Sequence, residues 1–196
     1  AVPGHVAVDH FTKVYGSANP TFTARYDGFV NSDGPGSLGG TLGFDTAADA
    51  SSPVDHYDVT PNGLTSNNYA ITYAPGVLDV TKAALTVTAD AVPGTVAVDH
   101  FTKVYGSANP TFGVRYSGFV NSDSPSDLGG TLDFATAATA GSPVDAYPVT
   151  PQGLTSDNYT ISYVAGTLDV TKAALTVTAD ADSSTAAVDH LSLTPI

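Results

Sequence analysis

The chain has 196 residues, 42% of them hydrophobic, and sets 19 acidic side chains against 6 Lys+Arg for a formal charge of −13. So acidic a surface excludes nucleic acid as a partner, and no apolar run reaches the ~18 residues that a membrane helix needs. Cysteine is absent, which excludes disulfide, thiol and Cys-zinc chemistry.

Every acidic residue is Asp and none is Glu. Asp suits turns, whereas Glu favours helices, so little or no helix is expected. Methionine is missing even from position 1, pointing to a processed or excised segment. Residues 1–22 recur at 91–112 with one change, Thr95 in place of His5. Sliding 1–90 over 91–180 needs no gap and meets 20 differences, hence 70 identities in 90. A tandem duplication of this kind makes each copy one structural unit that meets its neighbours in the same way.

Within a copy, strands are predicted between turn clusters. Val6, Val8 and His10 share one strand face. Residues 21–30 form a strand with Phe22, Ala24 and Tyr26 on one side and a bulge at Gly28. A loop follows at 31–37, then a strand at 38–44 weakened by Gly39 and Gly40, then a third at 54–59 ended by Thr60-Pro-Asn-Gly63. A hairpin closes the copy: 69–73 carries Tyr69, Ile71 and Tyr73 on one face, 74–76 turns, and 77–81 returns. Leu78 and Val80 alternate in one phase, and Leu85, Val87 and Ala89 in the other. The buried face therefore flips at residues 82–84, as in a strand that leaves one core and enters the next. No segment has a 3.6-residue period. Short strands between Gly, Pro, Asn and Asp turns, in units of ~90 residues, give an all-β reading: tandem small immunoglobulin-like β-sandwich domains arranged end to end.

The stretches Lys13-Val-Tyr-Gly-Ser-Ala-Asn-Pro-Thr-Phe22, Gly28-Phe-Val-Asn31, Gly63-Leu-Thr-Ser66, Asn68-Tyr69 and Gly76-Val-Leu-Asp-Val-Thr-Lys-Ala83 stand in this order across each copy. In that combination the chain resembles the MBG domain (YGX type) of bacterial surface proteins. The resemblance implies a tandem module of secreted or cell-surface, adhesin-like proteins, without catalytic residues to carry over. The connection from Asp90 to Phe101 is longer than that family's pattern. In its frame the Ala-Leu-Thr-Val-Thr-Ala segment is the first strand. The chain then divides into residues 1–82, a repeat lacking that strand; 83–172, a complete repeat; and 173–196, a first strand followed by a divergent tail.

Three constellations could carry chemistry. Asp9-His10, Asp99-His100 and Asp189-His190, with Ser17 and Ser107 nearby, contain the residue types of a hydrolase triad. Neighbours along a strand point to opposite faces, however, and no G-x-S-x-G elbow occurs, so no enzyme is expected. His56 is matched by Ala146 in the second copy. Asp33, Asp55, Asp58, Asp90, Asp180 and Asp182 offer the hard oxygens that calcium takes, although no loop has the twelve-residue pattern closed by Glu. Turn capping is the simpler role for them. Ten Tyr and no Trp could line a glycan platform, but Tyr69, Ile71 and Tyr73 recur in phase at Tyr159, Ile161 and Tyr163, the mark of a core face.

Two roles follow from the sequence. One is a structural stalk or filament subunit whose partners are copies of itself or neighbouring repeats. The other is an adhesin module for glycans or surface proteins, stiffened by calcium. The uneven ends add a specific expectation, that Leu175, Val177 and Ala179 form a strand donated to a repeat that lacks one.

Overall fold

The structure is a computed structural model that describes residues 10–92 and 99–179. It is all-β, and its helical content there is two 3-10 turns, Pro35–Ser37 and Pro125–Asp127. The strands build two tandem units with sandwich-like packing.

The first unit holds β1 (His10–Val14), β2 (Gly39–Asp45), β3 (His56–Thr65) and β4 (Gly76–Thr81), in one sheet of order β1-β4-β3-β2. β1 runs parallel to β4, while β3 is antiparallel to both β4 and β2. Val59 and Leu78 bury their side chains at 1% and 0% exposure, with the rings of Phe11, Phe22 and Phe44 packed around them. β3 runs on through Thr60-Pro-Asn-Gly63, where the sequence predicts its end. Gly40 and Gly63 both take positive φ, +78° and +83°, and face each other where the β2–β3 register shifts. A Cβ on Gly40 would stand 2.1 Å from the Gly63 carbonyl oxygen, so glycine is required on sterics alone. The turn-forming residues here build a bulge instead of a turn.

The second unit contains β5 (Ala83–Ala89), β6 (His100–Val104), β7 (Val114–Ser117), β8 (Gly129–Ala135), β9 (Ala146–Thr155), β10 (Tyr159–Val164) and β11 (Gly166–Thr171). Its sheet β6-β11-β9-β8 repeats the first unit's sheet, and a three-stranded sheet of order β10-β5-β7 accompanies it. β5 is the middle strand, parallel to β10 and antiparallel to β7. The phase flip is seen directly: Leu78 and Val80 lie in buried positions of β4, and one residue later Ala83, Leu85, Val87 and Ala89 are buried along β5. Burial of Leu85 and Val87 contributes roughly 1.5–3 kcal/mol each.

Two predicted strands need correction. The hairpin of 69–73 with 77–81 does not form in either copy. In the second copy β10 joins the β5 sheet while β11 joins the other, and Ala165 carries the chain between sheets. In the first copy, residues 69–74 belong to no strand, and neither do residues 21–30. The second-copy counterparts are β10 and β7, which keep Tyr159, Ile161, Tyr163, Arg115 and Tyr116 in phase with Tyr69, Ile71, Tyr73, Arg25 and Tyr26. What differs is the partner: β5 supplies both ladders in the second unit, and among the described residues no strand does so in the first.

Candidate functional site

The missing ladder leaves a groove in the first unit. It has a volume of about 790 Å³ and is walled by residues 23–29 on one side and 69–76 on the other. Its floor includes Leu42, Phe44, Val59 and Leu64. In the second unit the corresponding Leu132, Phe134 and Leu154 pack against the cluster that contains Leu85 and Val87. The first groove is thus the β5 site without its strand.

Tyrosine hydroxyls hold the walls where backbone ladders do not. Tyr73 donates to the Leu64 carbonyl at 3.0 Å and accepts from the Leu64 N–H at 2.7 Å. Tyr163 makes the same pair with Leu154, at 3.0 and 2.8 Å. Tyr69 donates to Asp33 Oδ2 at 2.6 Å, a bond that raises its phenol pKa. Asp33 is aimed by a tight turn in which its N–H reaches the Val30 carbonyl at 2.9 Å, with Asn31 and Ser32 at φ 54° and 66°. Left-handed backbone at two successive non-glycine residues is strained, and such strain persists where surrounding contacts over-determine it. The same turn recurs at Asn121 and Ser122 and aims Asp123. Asp123 there accepts from Tyr159 at 2.7 Å and from Tyr15 of the first unit at 3.0 Å. Burial foremost, then the bond to Asp123, pushes the Tyr159 pKa up to about 12.

That contact belongs to a larger junction. Tyr15 and Tyr159 meet edge to face at 5.6 Å. Lys82 Nζ donates to the Ser156 carbonyl at 2.7 Å, and the Val54 N–H to Asn158 Oδ1 at 3.0 Å. Val120 sits where a Cβ on Gly16 would be, its Cγ2 only 2.5 Å away. The members of the Tyr15–Asp123 pair lie in separate loops, 108 positions apart, and no local pattern links them. Their recurrence as Tyr105 and Asp33 was the available signal.

The predicted donor residues lie apart from any core. Leu175 and Val177 are each 87% exposed, and Ala179 is exposed beside them. The calcium candidates are dispersed, and among the described residues no group of three or more His or Asp side chains is arranged to hold a metal ion. Asp33 holds Tyr69, Asp55 Oδ1 accepts from the His56 N–H at 2.8 Å, and Asp58 lies exposed on β3. Asp90 is 1% exposed and accepts from Arg115 Nη1 at 3.4 Å and the Val92 N–H at 3.0 Å. Asp180, Asp182, Asp9, Asp189 and His190 lie outside the described residues. His10 and His100 point at carboxylates across the sheet, their Nδ1 atoms 2.8 Å from Asp79 and 3.1 Å from Asp169. His56 joins the same Asp79 at 2.5 Å, and Asp99 takes Arg115 at 2.5 Å. These pairs tie strands together.

Small all-β units in tandem, with β5 of the second following β4 of the first after a single residue, define a β-rich repeat module. The family model for the MBG domain (YGX type) matches residues 5–79 and 95–169, and the chain belongs to that family. β5 falls between the two matched stretches. The comparison with curated proteins returns no match.

Proposed function

We propose that the chain is a non-catalytic spacer, a stalk segment of a secreted or cell-surface bacterial protein in which successive repeats interlock. The observation that carries this reading is the single residue, Lys82, between β4 of one unit and β5 at the centre of the next unit's sheet. So short a link leaves no slack for the units to swing, and the Tyr15–Asp123 and Lys82–Ser156 bonds brace it. Stiff, near-identical units keep a fixed spacing and orientation, which is what a stalk requires.

An adhesive role calls for an exposed aromatic cluster carried by one unit and explained by nothing else. The exposed Tyr26 lines the groove, and the exposed Tyr105 is the counterpart of the junction residue Tyr15. Both have structural reasons, so the spacer reading is preferred. Inserting Gly-Gly-Ser after Lys82 tests it. Small-angle scattering should show an extended particle for the native chain and a broader distribution of extents for the insertion variant, with both units still unfolding cooperatively. A compact globule in the native chain, or no change on insertion, would overturn it.

A further inference from the structure

Among the described residues three strand pairings are parallel, β1 with β4, β5 with β10 and β6 with β11, and the others are antiparallel. Each parallel pair sets a strand from the beginning of a unit beside one from its end. In the second unit residues 159–171 form β10 and β11 with only Ala165 between them. Each half of that run has a parallel partner in one of the unit's first two strands, β5 for β10 and β6 for β11. Tension along the chain draws the earlier strand of such a pair back from its N-terminal end and the later strand forward from its C-terminal end. The two strands then slide past each other, and all the evenly spaced bonds of the ladder are loaded together. A pair pulled from one end parts bond by bond.

We infer that these parallel ladders are load-bearing clamps, through which each unit resists tension along the chain in shear. The inference rests on the reading of the chain as a spacer and names the force that the spacer withstands. The ladders are reinforced where the pull arrives. The Thr81 carbonyl takes the Tyr15 N–H at 2.8 Å, and the Thr81 hydroxyl donates to the Lys13 carbonyl at 3.1 Å. Thr171 makes the same two bonds with Tyr105 and Lys103, at 2.8 and 3.1 Å. At the start of β5 the Ala83 N–H reaches the Asn158 carbonyl at 2.9 Å. Two lysines then tie β1 and β6 to the body of their units. Lys13 and Lys103 are 7% and 6% exposed, a depth at which a charged side chain needs partners. Lys13 Nζ donates to the Ser17 and Asp49 carbonyls, and Lys103 Nζ to the Ser107 and Thr139 carbonyls and to Asn109 Oδ1. Asp49 and Thr139 precede β3 and β9, so a pull on β1 or β6 is shared with the loop on the far side of the sheet's central strands. Lys82 alone passes tension from β4 to β5, which leaves no slack between one clamp and the next.

Because the chain has no cysteine, handles for single-molecule pulling can be placed at chosen positions of the full chain. The variant His100→Cys/Lys172→Cys is gripped at the start of β6 and just past the end of β11, which loads their ladder in shear. Ser107→Cys/Lys172→Cys is gripped just past the C-terminal ends of the same two strands and unzips the same ladder. Lys82→Cys/Lys172→Cys loads both parallel ladders of the second unit in shear. All four positions are exposed, and either shear variant alone completes the comparison. At one pulling speed the rupture force should be at least about twofold higher in shear than in unzipping, since forced unfolding follows the unfolding rate along the pulled direction. Equal forces, or a stronger unzipping variant, would overturn the inference. The spacer reading would survive that result, because scattering from the insertion variant decides it. A compact native chain with the same directional difference would overturn the spacer reading and leave the clamps.

Discussion

The hydroxyl of Tyr15 donates to the carboxylate of Asp123 across the boundary between the two units, at 3.0 Å and 108 positions apart in sequence. Asp123 also takes the Tyr159 hydroxyl, which is buried within the second unit. One carboxylate therefore reports on both the fold of its own unit and its attachment to the neighbour. Asp123→Ala should cost the second unit about 1.5–3 kcal/mol, the usual range for hydrogen bonds to a charged group. Tyr15→Phe should cost about 1 kcal/mol and act mainly on coupling between the units. Urea unfolding followed separately in each unit distinguishes the two, and equal effects of both variants would contradict the division.

The same residue type at equivalent positions should respond in opposite ways. Leu85→Ala removes a buried side chain and should lower second-unit stability by about 2–5 kcal/mol. Leu175→Ala, in dilute monomeric chain, should change stability by less than about 0.5 kcal/mol. Thermal unfolding of both variants at low concentration is the measurement.

Glycines give a second matched pair. Gly118→Ala meets the Ala84 carbonyl in addition to an unfavourable φ of +113°, and should cost about 3 kcal/mol. Gly28→Ala meets open space at φ +94°, so only the conformational penalty of about 1 kcal/mol applies. Similar losses at the two positions would show that β5 does not set the requirement for glycine.

Asp79 faces two imidazoles, and its hydrogen bond to His10, then that to His56, holds its carboxyl pKa below the ordinary value. A depressed carboxylate contributes stability that is complete above the unfolded value of ~3.9 and is lost as pH falls through the folded value. NMR titration should place the Asp79 midpoint below ~3.9, and His56→Ala should move it upward. An unchanged midpoint would mean that His56 is a bystander.

Fold class was legible because strand periodicity and turn chemistry are local, and the face flip at Lys82 could be read from the phase of Leu78 and Val80 against Leu85 and Val87. Residues 21–30 and 69–73 were misread because a strand exists only with a partner. Tyr26 has β propensity while Ala24, standing where β7 has Val114, has little, and among the described residues their own unit supplies no segment to pair with them. The Tyr69–Thr81 hairpin is absent from both copies, with β5 and without it, because β4 is already flanked by β1 and β3, and β11 by β6 and β9, so neither has a free edge for the segment before it. The Thr60-Pro-Asn-Gly63 signal was real chemistry put to another use, since Gly63 matches Gly40 across a bulge. The Tyr–Asp junction depends on loops brought together by packing, which no local pattern encodes.

The single residue between β4 and β5 also governs how the chain can misfold. Two empty sites compete for the Ala-Leu-Thr-Val-Thr-Ala strand while the protein folds, the groove behind it and the one ahead. Thr81 is fixed beside Tyr15, whose N–H reaches the Thr81 carbonyl at 2.8 Å. To enter the groove behind, the strand would have to return past the whole of β4, six residues long and so roughly 20 Å, on a tether of one residue that spans about 3.6 Å. The site ahead is within reach as soon as it is made. Ala83 must wait for Tyr159, its partner in the register, to emerge during synthesis, and until then it has no alternative in its own chain. Tether length thus settles a choice between two nearly identical sites that affinity alone could not.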